Sequence, residues 1–195
     1  MSFQWIPFLT YAVITAITPG PNNIMAMSNG SRKGFAKSMP FNLGMWAGFF
    51  IVLTLCTVLC DTVTTLIPKI KLPMLIIGAI YILWLAWETF RSDGIIEERQ
   101  GKDGFFKGMM LQFVNPKFHL YCIMSLEAYI LPVYMDNLPM ILILNGILIV
   151  ICMICNLLWT AFGASFRKLF SEHTKIVNTI LALLLVYCAI ALFIP

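Results

Sequence analysis

Thr18-Pro19-Gly20-Pro21-Asn22-Asn23 interrupts the first apolar segment of the chain. A helix crossing a bilayer tolerates such a break only where protein or a water-filled cavity meets the freed backbone groups, because lipid offers no hydrogen bonds. Pro19 and Pro21 donate no N–H, and each ring clashes with the carbonyl four residues back, which frees the carbonyls of Thr15 and Ile17. Gly20 between them is read as permitting a backbone conformation closed to other residues. If the helix restarts at Pro21, a favoured first position, the N–H groups of Asn22 and Asn23 are left unpaired at its partly positive end. Loose acceptors and loose donors within one turn are what a polar solute needs in order to cross. A helix broken in this way points to a transporter's binding site.

Composition bounds the rest. The chain has 195 residues, of which 60% are hydrophobic and 11% charged, with a mean hydropathy of +0.88. Soluble domains carry roughly 45–50% apolar residues. The expectation is an all-α integral membrane protein of one domain, residues 1–195, with no length left for a soluble domain. A net charge of +4 is too small and scattered for nucleic-acid binding, and topology accounts for it. Cys56, Cys60, Cys122, Cys152, Cys155 and Cys188 all fall in apolar segments, so they read as small hydrophobes and not as disulfides or zinc ligands. Cys152 and Cys155 have CxxC spacing but no basic neighbour to activate a thiol, so chance is the preferred reading. Residues 1–17 have no basic leader region, so no cleaved signal peptide is expected. No cofactor or metal is called for.

Taking about 20 apolar residues per crossing, six spans are expected at about 5–27, 39–60, 73–91, 105–132, 139–165 and 175–194. Arg32, Lys33 and Lys37, then Arg91, Arg99, Lys102 and Lys107, then Arg167, Lys168 and Lys175 fall in the odd connections, and only Lys69 and Lys71 lie opposite. The positive-inside rule then puts both termini outside a plasma or inner membrane. The polar stretch near 92–104 separates two halves, 1–91 and 105–195. Three spans each make the halves antiparallel, the arithmetic of an inverted repeat. The fourth span carries a matching break, Phe113-Val114-Asn115-Pro116-Lys117, where Asn115 suits the N-cap of a helix beginning at Pro116 and the ring frees the carbonyl of Gln112. Two half-helix N-termini would then converge from opposite faces on an anionic group.

With both breaks in view the chain resembles the LysE/RhtB family of amino-acid exporters over essentially its whole length. Thr18-Pro19-Gly20-Pro21-Asn22 is the most specific part of the likeness, and Asn115-Pro116-Lys117 is the second. Ala79 to Trp87, Leu111 to Asn115, Asn156-Leu157-Leu158-Trp159 and Leu181 to Cys188 look like its cysteine/O-acetylserine exporter branch. The resemblance implies export of small neutral amino acids or their acetylated precursors, driven by an ion gradient. Glu127 departs from it, standing where a small polar residue is expected.

The substrate site is therefore expected at Thr18, Pro19, Gly20, Pro21, Asn22 and Asn23 with Gln112, Asn115, Pro116, Lys117 and Asn156. The competing reading is two proline kinks that only shape packing. Lys117 either pairs with a substrate carboxylate or snorkels to the headgroups. Glu127 is an ion-coupling candidate: a carboxylate at midspan must face a cavity or be protonated. If the span ends near Leu131-Pro132, Glu127 simply reaches the outer interface. Asp61, the second coupling candidate, lies near a span end, where interfacial solvation accounts for it. Gly44 and Gly48 form a GxxxG, read as helix packing. The partners expected are a small amino-acid substrate and membrane lipid, with a homodimer as an option.

Without a Gly-x4-Gly-Lys-Ser/Thr phosphate loop, ATP cannot drive the process directly, and without HExxH or Gly-x-Ser-x-Gly there is no sign of an enzyme. A secondary carrier working by alternating access and coupled to protons is the first reading. A membrane thiol–disulfide electron carrier is disfavoured because the first span has no cysteine. A passive amino-acid channel would share the breaks and need no coupling group.

Overall fold

The computed structural model describes residues 2–58, 60–91, 101–166 and 172–193, with only the backbone described at 60–71, 74 and 101–103. The described elements are helices: α1 (Trp5–Ile17), α2 (Pro21–Lys33), α3 (Phe35–Val58), α4 (Cys60–Phe90), α5 (Gly101–Val114), α6 (Pro116–Ser125), a π-helical turn (Leu126–Ile130), α7 (Leu131–Tyr134), α8 (Leu138–Ser165) and α9 (Thr174–Ala191). Phe35–Val58, Leu138–Ser165 and Thr174–Ala191 are long and apolar enough to cross a bilayer, while Trp5–Ile17 and Leu75–Phe90 are apolar but shorter.

Local chemistry sets the boundaries. Pro21 and Pro116 each begin a helix, where the missing N–H removes no hydrogen bond. Asn137 Oδ1 accepts from Met140 N–H at 3.2 Å and starts α8. Gly34 ends α2 with φ 79°, a left-handed conformation that a Cβ would strain. Between α3 and α4 the chain differs from expectation. The connection expected to hold Lys69 and Lys71 is helical, because α4 runs unbroken from Cys60. The 92–104 connection is also shorter than expected at its far end, since α5 begins at Gly101.

Two apolar clusters hold the bundle. One joins Phe8, Phe49, Leu53, Phe118, Leu126 and Leu144 from α1, α3, α6, the π-helical turn and α8. The other joins Ile24, Phe41, Met45, Ile82, Leu111 and Leu185 from α2, α3, α4, α5 and α9. The outer surface is apolar as well: Ile6 is 81% exposed and Val58 75%, with many more large hydrophobics uncovered. An apolar surface on this scale needs lipid around it.

The tightest helix pairs, α3 with α5 and α2 with α8, approach through glycine. A Cβ at Gly163 would stand 2.1 Å from the carbonyl oxygen of Met27, and one at Gly30 2.2 Å from that of Thr160. Across the other pair, Gly44 and Gly48 both face α5, consistent with the packing read from their spacing. Gly146 in the same α8 has nothing within 4 Å of such a Cβ. Gly163→Ala should therefore lower stability by about 1–3 kcal/mol through forced backbone separation. Gly146→Ala should be neutral or slightly stabilising, since alanine is the better helix former. Thermal unfolding of the two variants in detergent checks this, and equal melting temperatures would contradict it.

Candidate functional site

The ends of α1, α2 and α6 meet around one cavity of about 40 Å³, lined by Thr15, Ala16, Gly20, Pro21, Asn22, Asn23, Phe49, Asn115, Lys117, Phe118, Tyr121, Cys152 and Asn156. That volume holds a few water molecules. The break in α1 leaves its last carbonyls without intrahelical donors, and side chains from three other helices take them up. Asn23 Nδ2 donates to the carbonyls of Ala16 at 2.8 Å and Thr18 at 3.0 Å. Trp159 Nε1 donates to Ile17 at 3.1 Å. Lys117 Nζ donates to Thr18 at 2.9 Å and reaches Pro19 at 3.5 Å.

At the second break Asn115 acts as the expected N-cap, its Oδ1 accepting from the N–H of Lys117 at 3.1 Å. Its amide nitrogen is free to reach across the bundle, donating to Asn22 Oδ1 at 2.8 Å. Asn22 Nδ2 in turn donates to Gln112 Oε1 at 2.8 Å, and Gln112 Nε2 returns to Asn22 Oδ1 at 3.3 Å. On the other flank Asn156 Nδ2 donates to Asn23 Oδ1 at 3.0 Å. The two breaks are thus joined by the amides of Asn22, Gln112 and Asn115, and a second amide pair ties α2 to α8.

Charge in the cavity is laid out by backbone ends. The N-termini of α2 and α6 carry partial positive charge and the C-terminus of α1 partial negative charge. Two buried polar atoms on its wall have spare capacity. Asn156 Oδ1 has no donor among the described residues, and Tyr121 Oη has only the Cys152 thiol beside it.

Of the residues singled out from sequence, Gly20, Pro21, Asn22, Asn23, Asn115, Lys117 and Asn156 line the cavity. Gln112 and Pro116 are buried behind it, and Thr18 and Pro19 form the exposed bend. Gly20 is extended at φ −169°, a conformation open to any residue. The glycine is needed for a different reason: a Cβ there would stand 3.1 Å from Lys117 Nζ and 3.2 Å from its Cδ. Lys117 is half-buried, and its ammonium is held by the carbonyls of the opposite break.

Glu127 stands apart from this arrangement. It is exposed on the π-helical turn and is not a cavity residue. The turn's extra residue rotates the chain so that Leu126 and Ile130 face the core. Asp61 lies in α4 at a position whose side chain is outside the described residues.

Sequence reasoning missed Phe49, Phe118, Tyr121, Cys152 and Trp159. Three of them had a signal. Cys152 and Trp159 flank Asn156 at i−4 and i+3, and Tyr121 follows Lys117 at i+4, so each shares a helix face with a residue already singled out.

Residues 13–195 match the LysE type translocator family. The chain is 39% identical over 187 residues to the cysteine/O-acetylserine efflux protein of Salmonella typhimurium, 95% of each chain being covered. It is 39% identical to the protein of that name from Klebsiella pneumoniae, over 94% of this chain and 93% of the other. With the Escherichia coli protein it shares 37% identity over 95% of each chain. No solved structure matches the chain.

Proposed function

The chain belongs to the LysE type translocator family, and on that premise we propose that it is a secondary-active exporter of small neutral amino acids and derivatives of the cysteine and O-acetylserine kind. The observation that carries the proposal is the layout of the cavity. An amino-acid zwitterion carries a carboxylate and an ammonium on the same carbon atom, and the cavity offers two positive helix ends beside one negative helix end. The carboxylate binds at the starts of α2 and α6, the ammonium at the carbonyls closing α1. The side chain is left to Tyr121, Asn156, Phe49 and Phe118, a small wall with two spare hydrogen-bonding atoms. A thiol or an acetyl ester fits those partners, and a cationic side chain would find no carboxylate in the lining. The substrate names of the relatives favour the same choice.

Transport proceeds by alternating access. We read residues 1–91 and 105–195 as inverted three-helix repeats, with both termini outside an inner membrane. The bonds that join them at the cavity, Asn22 to Gln112 and Asn115, Asn23 to Asn156, and Lys117 to Thr18, are the ones that rocking must remake. The proton gradient is the proposed driving force. No covalent bond is made or broken, so the protein is a carrier and not an enzyme.

Proteoliposomes loaded with labelled cysteine, O-acetylserine, serine or threonine test the proposal. Efflux of the first two should exceed that of the others and should accelerate when the exterior is made acid. Efflux indifferent to the gradient would replace the carrier with a channel, and absence of efflux for all four would remove the reading.

A further inference from the structure

We propose that Lys117 is a tethered stand-in for the substrate's ammonium group, seated on the carbonyl end of α1 while the carrier is empty and displaced when an α-amino acid binds. The inference rests on the export reading and adds to it how the empty carrier completes its cycle.

Lys117 Nζ lies 2.9 Å from the carbonyl oxygen of Thr18 and 3.5 Å from that of Pro19, across 99 and 98 residues of sequence. The only ion pair among the described residues joins Lys107 to Glu88, so no carboxylate balances this ammonium. The opposing charge this half-buried cation meets is the partial negative end of α1. The α-ammonium of an amino acid is the same compact, three-donor cation. Both cannot occupy one pair of oxygens, so the seat that suits the substrate is already filled by its chemical equivalent.

The surroundings allow the exchange. The stem of Lys117 passes over Gly20, where a Cβ would crowd Nζ and Cδ, so the glycine keeps the track of the side chain clear. The backbone of Lys117 stays fixed, its N–H bonded to Asn115 Oδ1 at 3.1 Å, in the first turn of α6. A displaced ammonium therefore remains tethered beside the helix end that receives the substrate carboxylate. Empty, the carbonyls hold Lys117. Loaded, they hold the substrate, and Lys117 pairs with the carboxylate. Both forms keep their charges matched, and both can close and reorient. An amine lacking the carboxylate would strand Lys117, and an acid lacking the ammonium would fail to displace it.

Two flux modes in the same proteoliposomes separate this role from simple binding. Net efflux of labelled O-acetylserine into substrate-free medium requires the empty carrier to return, whereas exchange against saturating unlabelled O-acetylserine returns it loaded. Lys117→Met should lower the maximal rate of net efflux by tenfold or more and leave that of exchange within about threefold of the parent, with a raised KM for exchange. Lys117→Gln, which keeps an N–H donor and so the cap on α1, should fold if Lys117→Met does not and should show the same split in smaller degree. Millimolar methylammonium should restore net efflux to Lys117→Ala. Parallel loss of both modes, or retention of both, overturns the stand-in role while the parent's efflux leaves the export reading intact. A parent that moves substrate in neither mode removes both.

Discussion

Replacing Asn22 by alanine should abolish export while leaving a folded protein. Its amide accepts from Asn115 and Gln112 and donates to Gln112, and every one of these partners belongs to the other half of the chain. Interhelical hydrogen bonds inside membranes contribute about 0.6 kcal/mol on average and up to about 1.7. Losing this set should reduce stability by about 1–2 kcal/mol, which a protein with the usual margin of roughly 5–15 kcal/mol survives. Transport should suffer much more. Asn22 fixes the spacing of the two positive helix ends, and the proposed carboxylate seat depends on that spacing. A hundredfold fall in gradient-driven efflux, equivalent to about 2.7 kcal/mol of barrier, is expected at a protein yield close to the parent's. Asn42→Ala is the comparison: Asn42 Nδ2 donates to Thr160 Oγ1 at 3.0 Å, a buried amide bridge outside the cavity. It should lose similar stability and keep efflux within a few-fold. Equal efflux in the two variants would contradict a special role for Asn22.

Asn23 should behave in the opposite sense, failing in stability before function can be measured. The residue is 3% exposed, and its side chain closes its own break, donating to Ala16 and Thr18 and accepting from Asn156. Asn23→Ala leaves carbonyls of the α1 terminus without that donor in an apolar setting. A buried group stranded in this way costs about 1–3 kcal/mol. With two carbonyls affected, Thr18 partly compensated by Lys117, a loss of about 2–5 kcal/mol is expected. For a chain of this length that corresponds to a fall in melting temperature of roughly 5–15 °C. Asn23→Asp should be worse, since it sets carboxylate oxygens against carbonyl oxygens. Thermal denaturation in detergent, followed by size-exclusion profile, reads both variants. An Asn23→Ala protein melting with the parent while Asn22→Ala melts far below it would reverse the division of labour between these neighbours.

Much of this could be read from residue types. Proline at 19, 21 and 116, each beside Gly20 or Asn115, marks where helices stop and restart through a missing N–H and a clashing ring, whereas Pro40 is carried inside α3. Asn115 ahead of Pro116 announces its cap for the same reason. The apolar runs identify a membrane protein, and the polar residues interrupting them mark the proposed site. Other features were not legible. Gly20 looked like a conformational requirement, yet its backbone is ordinary and the constraint comes from Lys117, far along the chain. Which face Glu127 takes was not legible either, because a π-helical turn shifts the helix phase and leaves the residue exposed. Lys69 and Lys71 looked like a loop because charge suggests solvent, whereas helical backbone continues through them.

Sequence alone determined the apolar class, the two breaks and the amides beside them, since the breaks follow from interactions within about one helical turn. Only the tertiary structure decided the partners: Asn22 with Gln112 and Asn115, Trp159 with Ile17, and Lys117 with Thr18. Those contacts span about 90 to 142 residues. They depend on how helices rotate and approach, set here by glycines that let the backbones of α2 and α8, and of α3 and α5, come together. A freed carbonyl specifies that a donor must come. Which donor arrives is settled by packing.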